Sequence, residues 1–513
     1  VSGSIVLSRE NIVADIAELL GVAPEELTDD TNLLDAGLDS IRLMSLVEKW
    51  RTAGSPGADF VNLAAEPVVG VWLDAVAVEA GPVQEGMTMA IDDGSVVDVV
   101  DVVDVVGVGF GPSNLALAIA IEEHNRSVDP EHQIAARFVE KQSRFGWHRG
   151  MLLPGTTMQI SFLKDLVTQR NACSEYSFLN YLSQRDRLSH FINHQSFFPA
   201  RVEFHDYLEW AADKVDADVD FGAEARGVTW DGEFFEVQVA GRPSIRGRNL
   251  VVAAGFTANL PDGVESSTRV FHNHQLLDHL RALPEQRHHR FVVVGAGQSA
   301  AEVTAHLHDA YPRSEIHAVF GKYGYTPADD SPYANRIFDA EAVADFHRSG
   351  ADLRQQLLDY HRGTNYSAVD LPLIEELYRR EYQERVSGNR RLFVRGASEV
   401  SKILDTDSGV SVRISHRPSQ EIDDIDCDAI IFATGFRPTR LTDLLGPLGQ
   451  ECETDDQGRP LVSRDYRVLT SDRVGGAIYL QGNTEHTHGL TSTLLSNLAI
   501  RSGELVESLT TSR

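Results

Sequence analysis

The sequence predicts an α/β chain built around two Rossmann-like dinucleotide-binding domains. Two glycine-rich loops carry the prediction, each set between an apolar strand and an apolar helix: Gly107-Val108-Gly109-Phe110-Gly111-Pro112-Ser113-Asn114 and Gly295-Ala296-Gly297-Gln298-Ser299-Ala300. A third apolar run, DAIIF, leads into Ala433-Thr434-Gly435. Glycines serve the tight turn and the close approach of a pyrophosphate, and the helix that follows presents its positive end to that charge.

Composition sets the bounds. At 513 residues the chain calls for two to four domains, with an ordinary globular balance of 42% hydrophobic and 24% charged residues. A net charge of −30 repels nucleic-acid backbones and anionic membranes, so neither is expected as a partner. Cys173, Cys427 and Cys452 form no C-x-x-C pair and no zinc spacing. No basic n-region opens the chain and no apolar run reaches about 18 residues, which points to the cytoplasm and to no membrane span. Nineteen histidines, among them His272, His274, His486 and His488, lack acidic or cysteine partners at ligand spacing, so no metal is expected.

Taken in order, residues 8–20 place Ile12, Ile16, Leu19 and Leu20 on one helical face behind Ser8. A polar loop then leads through Gly37-Leu38-Asp39-Ser40 into a second helix with Ile41, Met44 and Val47 facing inward. Residues 81–101 read as a linker. Their Val-Asp-Val repeats every third residue, which fits neither a strand nor a helix, and the first buried strand starts near Val102. Pro112 takes the slot of a third glycine, a position that suits the first turn of a helix. The next strand, ARFVEK, ends in Glu140, an acid placed for a ribose hydroxyl although farther on than the usual about 20 residues. After the second loop, the strand EIHAVFGK ends without an acid and with Lys322, which favours a 2′-phosphorylated dinucleotide.

Two resemblances add to this reading. LLDAGLDSIRLMSLVEKWR, with DFVNLAAEPVVGVWLDAV after it, resembles the aryl and peptidyl carrier domains of nonribosomal peptide assembly. That resemblance implies a four-helix domain over 1–80, 4′-phosphopantetheine on Ser40, and nonribosomal peptide synthetases as partners. Taken alone, Ser40 reads as a helix N-cap.

The segments VGVGFGPSNLALA, MQISFLKDLVTQR, FFPARVEFHDYLEW, VVVGAGQSAAE, YTPADDSPYANRIFD, GTNYSAVD, IIFATGF and HGLTSTLLSNLAIRSGE resemble the flavin-dependent L-ornithine N5- and L-lysine N6-monooxygenases of siderophore synthesis. The absence of paired thiols sets aside the disulfide reductases that share two dinucleotide loops. The family implies FAD, NADPH and O2, with oxygen passed from a flavin C4a-hydroperoxide to an uncharged side-chain amine, faster at mildly alkaline pH. It implies an FAD domain over 102–285 and 401–513, an NADPH and small helical substrate region over 286–400, and a homo-oligomer.

For FAD and NADPH the resemblance picks out Gly107, Gly109, Gly111, Pro112, Asn114, Glu140, Gln159, Arg201, Gly295, Gly297, Gln298, Ser299, Lys322, Thr434 and Gly435. It sets Gln159 beside the isoalloxazine ring as a catalytic group, and Lys164 and Asn335 on the amino-acid head of the substrate. Asn365, Leu494 and Ser496 hold the substrate near the flavin, Asn365 with a catalytic part. Singly, Lys164 also reads as a solvated lysine, Asn335 and Asn365 as turn residues, and Arg201 as a salt-bridge partner. Where many relatives carry an arginine for the 2′-phosphate, this chain has Phe320-Gly321-Lys322. A lysine is a point charge without the guanidinium fork, so the expected preference for NADPH relaxes enough to admit NADH. L-Ornithine is the expected substrate, with L-lysine or a carrier-tethered amino acid as the alternatives.

Overall fold

In the computed structural model, residues 102–283, 289–406 and 409–511 are described continuously. Of the first 101 residues it describes α1 (Arg9–Leu20), α2 (Val69–Val76) and a number of positions between them. Val1–Val97 and Asp98–Arg513 form two separate compact units. In the first, the expected apolar face of α1 is present, with Ile12 and Ile16 fully buried. Trp50 and Trp72 meet edge to face at 6.0 Å, and Trp50 Nε1 donates to Asp15 Oδ2 at 2.8 Å. Val47 faces that core as well. Ser8, Ser40, Ile41, Met44 and the 81–101 linker lie outside the described residues.

The first described strand of the second unit takes in the last aspartate of the Val-Asp repeat, Asp104. Strand β1 (Val102–Val108) runs into the first glycine loop and α3 (Pro112–Asn125), and then into β2 (Ala136–Glu140). Helix α4 (Arg201–Lys214) precedes β3 (Asp218–Phe221), β4 (Ala225–Trp230), β5 (Phe235–Val239) and β6 (Ile245–Val252). The chain crosses through β7 (Phe256–Ala258) to β8 (Val270–His272), β9 (Arg290–Val294), α5 (Gln298–Ala310) and β10 (Glu315–Val319). Helix α6 (Leu371–Ser387), β11 (Leu392–Arg395) and a meander of β12 (Ser398–Thr406), β13 (Gly409–His416) and β14 (Ile422–Cys427) follow. The chain closes with β15 (Ala429–Phe432), β16 (Phe436–Pro438), β17 (Ile478–Leu480) and α7 (Leu498–Thr511).

Two sheets organise these strands. The first has the order β3-β2-β1-β6-β5-β4 with β17 also on β6, and the second β11-β10-β9-β15-β8. The parallel pairs β2-β1-β6 and β10-β9-β15 bring each glycine loop to the carboxyl edge of its sheet, the usual place for a ligand in an open α/β fold. Successive residues of β1 face opposite layers: Val105 packs with α3, α4 and α7, and Val106 with Phe235, Leu250 and Ile478. In the second sheet Phe291 and Val293 pack on α5, while Val292 packs on Val412 and Ile414 of the meander.

This sheet draws strands from outside 286–400. Val270–His272 and Ala429–Phe432 both pair into it, because a parallel strand can be supplied from any distance along the chain by a crossover. The chain therefore passes twice between the sheets, and the crossings β7 and β16 pair with each other antiparallel.

Candidate active site

In the first loop each glycine answers a different constraint. Gly109 has φ +85°, and a Cβ there would lie 2.4 Å from the Ala253 carbonyl oxygen, so the turn can be made only without a side chain. A Cβ on Gly107 would strike the Phe138 ring at 2.2 Å. Gly111 instead faces open space and caps α3, with Pro112 in the first helical turn. The replacement of a third glycine by proline is thus accommodated without strain. Asn114 is fully buried; its Nδ2 donates to Gly109 O at 2.6 Å and its Oδ1 accepts from Gln481 Nε2 at 2.8 Å, so it shapes the loop from behind. The Glu140 carboxylate accepts the Phe110 N–H at 2.8 Å and the Gln142 N–H at 2.9 Å, leaving lone pairs for a ribose diol.

Two residues here were not among the expected site residues. Arg501 of α7 is 2% exposed, donates to Ser113 Oγ at 3.1 Å and to Ser492 O at 2.5 Å, and has an unpartnered Nε. Gln481 likewise keeps an unpartnered Oε1 beside the loop. An open helix N-terminus, a buried cation behind it and a carboxylate at the end of the second strand fit a dinucleotide such as FAD.

The second loop repeats the pattern. Gly295 has φ +146°, and a Cβ there would lie 2.3 Å from Ala433 O, while Gly297 caps α5 with Gln298 and Ser299 in its first turn. The side chain of Gln298 is turned away from open cleft: its Nε2 donates to Glu302 Oε1 at 3.0 Å and Asp370 Oδ2 at 3.1 Å, and its Oε1 accepts the Asp370 N–H at 2.8 Å. Glu302 in turn receives both arms of Arg201 at 2.7 Å, and Gln159 Nε2 donates to Asp370 Oδ1 at 3.1 Å. Gln159 and Arg201, expected as separate cofactor contacts, are the two ends of one chain, Arg201–Glu302–Gln298–Asp370–Gln159. Burial raises the pKa of the Asp370 carboxyl above the usual range, opposed by the hydrogen bond from Gln159.

Thr434 and Gly435 sit where the chain crosses between the sheets. The Thr434 hydroxyl donates to Asn259 O, Asn259 Nδ2 donates to Thr434 O at 3.2 Å, and the Asn259 N–H donates to Gly435 O at 3.0 Å. The Ala-Thr-Gly segment therefore stitches one crossing to the other. Lys322 lines a cavity of about 890 Å³ along the edge of the second sheet, together with Gly295, Ala296 and Gly321. Its ammonium, however, donates to Thr326 Oγ1 at 2.9 Å and Ser367 O at 2.7 Å.

The expected substrate residues come together in two groups. Lys164 Nζ lies 5.9 Å from the centre of the Phe338 ring, and Phe338 ends the short helical turn Ala334–Phe338 that carries Asn335. Asn335 Nδ2 donates to Asp330 O at 2.8 Å. Partial burial lowers the Lys164 pKa, with Asp339 opposing. In the other group, the Asn365 and Thr493 side chains lie beside the Tyr366 hydroxyl, which donates to Glu485. That joins the Asn365 loop to the turns holding Leu494 and buried Ser496.

Tyr366 and Glu485 line a second cavity of about 650 Å³ with Phe436, Asn483 and Thr493. His486 and His488 bond the backbone carbonyls of Pro460 and Arg464. Among the described residues, no group of three His, Cys, Asp or Glu side chains is placed to hold a metal, and no helix is long and apolar enough to cross a membrane.

Comparison with known proteins gives this arrangement a family. Residues 101–438 match the family described as L-lysine 6-monooxygenase/L-ornithine 5-monooxygenase, and residues 10–69 match the phosphopantetheine attachment site family. The L-ornithine N(5)-monooxygenase of Burkholderia cepacia is 40% identical, over 75% of this chain and 89% of its own length. The Pseudomonas aeruginosa enzyme of the same name is 37% identical, over 79% and 93%. Among solved structures, the Kutzneria sp. 744 ornithine N-hydroxylase with reduced FAD, NADP+ and L-ornithine is 42% identical, with a TM-score of 0.76 over 80% of this chain and 99% of that one. The L-lysine 6-monooxygenase from Pseudomonas syringae is 30% identical, with a TM-score of 0.71 over 80% and 99%. The chain belongs to the L-lysine 6-monooxygenase/L-ornithine 5-monooxygenase family, with a phosphopantetheine attachment region ahead of the oxygenase.

Proposed function

We propose that this chain hydroxylates the side-chain N5 amine of free L-ornithine, using FAD, NADPH and O2. The observation that carries the reading is the gathering of Lys164 and Asn335 at one turn, and of Asn365 and the Leu494–Ser496 turns at another, within the unit that holds both glycine loops. Reduced FAD supplies activation of O2 to an electrophilic oxygen; the protein's part is to orient the amine and keep it unprotonated. A free alkylammonium has a pKa of about 10 and no lone pair. Burial already lowers the pKa of the Lys164 ammonium, and the same desolvation acts on the amine of a bound substrate. Lys164 pairs with the substrate carboxylate as a point charge, Asn335 supplies a neutral amide beside it, and Gln159 faces the flavin from the hydrogen-bonded chain through Asp370.

A carboxylate contact favours a free amino acid, because a carrier-bound thioester has no such charge. The carrier, over 1–80 and joined through 81–101, bears 4′-phosphopantetheine on Ser40 and serves nonribosomal peptide synthetases rather than presenting the oxygenase's substrate. The enzyme works in the cytoplasm, where NADPH and free amino acids meet, and it forms a homo-oligomer. Exposed Tyr378 and Tyr382, one turn apart on α6, support that association. One methylene separates lysine from ornithine, worth about 1–3 kcal/mol in a pocket. Mass spectrometry of products formed from equimolar ornithine and lysine tests the assignment: a hydroxylated ornithine predominating by about tenfold or more is expected, and a predominant hydroxylated lysine overturns it.

A further inference from the structure

Gly321 leaves the second nucleotide site without the side chain that would meet a 2′-phosphate, and Lys322 beside it is hydrogen-bonded to Thr326 and Ser367. In a Rossmann unit the 2′ position of the adenosine ribose falls at the end of the second strand, which here is β10 and the residues just after it. That spot has a cation from elsewhere in the chain. A Cβ built on Gly321 would lie 3.3 Å from Arg417 Nη1, 3.6 Å from its Cζ and 3.9 Å from its Nη2. Arg417 follows β13 and lines the same cavity of about 890 Å³ as Gly295, Ala296, Gly321 and Lys322.

We propose that Arg417 reads the 2′-phosphate of NADPH, its guanidinium standing beside the open position that Gly321 leaves. The assignment rests on NADPH being the reductant. Glu399 holds one edge of the guanidinium, accepting from Nε at 2.8 Å and lying 2.7 Å from Nη2. The Nη1 arm is the one turned toward Gly321. The pair is half exposed, with side-chain accessibilities of 59% and 49%, so the arginine can shift onto a ligand without first leaving a buried site. A dianionic phosphate outbids a single carboxylate for the fork, and a guanidinium is better matched to it than an ammonium.

The test is calorimetric binding of 2′,5′-ADP and 5′-AMP to the full-length, FAD-loaded protein, which involves no turnover. The unaltered protein binds 2′,5′-ADP more tightly than 5′-AMP. Arg417→Ala weakens 2′,5′-ADP by about tenfold to a hundredfold and leaves 5′-AMP within twofold. Arg417→Lys falls between, which separates loss of the fork from loss of charge. The double variant Glu399→Gln/Arg417→Ala removes the repulsion of an unpaired carboxylate and stays weakened relative to Glu399→Gln alone.

If the unaltered protein discriminates and Arg417→Ala discriminates equally, the assignment to Arg417 falls while the NADPH reading stands. Recovery of full affinity in the double variant overturns it in the same way. If the unaltered protein does not discriminate between the two nucleotides, the NADPH reading falls and takes the proposal with it.

Discussion

Removing Glu302 tests the link between the two nucleotide-binding halves. Arg201 stands at the start of α4 on the first sheet's side and Glu302 on α5 behind the second glycine loop. Two N–H···O bonds of 2.7 Å join them, with only 13% and 4% of the side chains exposed. Glu302→Ala leaves a largely buried guanidinium without its carboxylate, a loss of about 3–5 kcal/mol for a broken buried pair. Against a typical domain stability of about 5–15 kcal/mol, that is a large fraction.

Replacing both partners with apolar groups of similar size removes the desolvated charges together, so Arg201→Met/Glu302→Met loses much less than either Arg201→Met or Glu302→Met alone. Urea unfolding of the flavin-loaded protein, followed by circular dichroism and flavin fluorescence, gives the cycle. A coupling of about 1.5 kcal/mol or more is expected. Single losses below about 1 kcal/mol that add in the double variant would refute a clamp and leave an ordinary screened surface pair.

Other outcomes follow from the same geometry. Lys164→Ala raises the ornithine KM by about tenfold to a hundredfold with kcat little changed, because a charge-assisted contact worth about 1.5–3 kcal/mol is lost from ground and transition state alike. In the unaltered protein, that KM rises as pH climbs through the lowered pKa of Lys164, since the ammonium is charged below it and neutral above. Burial lowers His272 and His317 to about 4 and His488 to about 3, from an ordinary 6.5. The unfolded chain therefore binds more protons between those values and 6.5, and the stability present above pH 6.5 is lost as pH falls. Melting temperatures measured from pH 7.5 to 5 fall, and less steeply for His488→Asn. Ser40→Ala abolishes the mass increment left by a phosphopantetheinyl transferase but leaves turnover of free ornithine unchanged; a parallel loss of turnover would show that the carrier presents the substrate.

Local sequence made the nucleotide loops legible. A glycine that must adopt positive φ where a Cβ would lie 2.4 Å from a carbonyl oxygen, as Gly109 does, announces itself beside a strand and a helix start, and the apolar run after Asp104 put the start of the first strand near Val102. What stayed hidden depends on distance along the chain. Asp370 lies 211 residues from Gln159, Glu302 lies 101 from Arg201 and Gln481 lies 367 from Asn114; single polar residues at those positions carry no periodicity. The strand Ala429–Phe432 was recognisable as buried, but its place between β9 and β8 comes from a crossover that no local pattern encodes. Gly321 and Lys322 could be read as a gap in phosphate recognition, while Arg417, 96 residues farther along and folded against that gap, could not.

The most direct measurement of the central claim is isotopic. The FAD-loaded protein is incubated with NADPH, L-ornithine and 18O2, and the product is fragmented in the mass spectrometer. One 18O atom on the side-chain nitrogen of ornithine, formed in step with NADPH oxidation, is the predicted result. Labelled hydrogen peroxide accumulating in step with NADPH, and ornithine recovered without label, would contradict it.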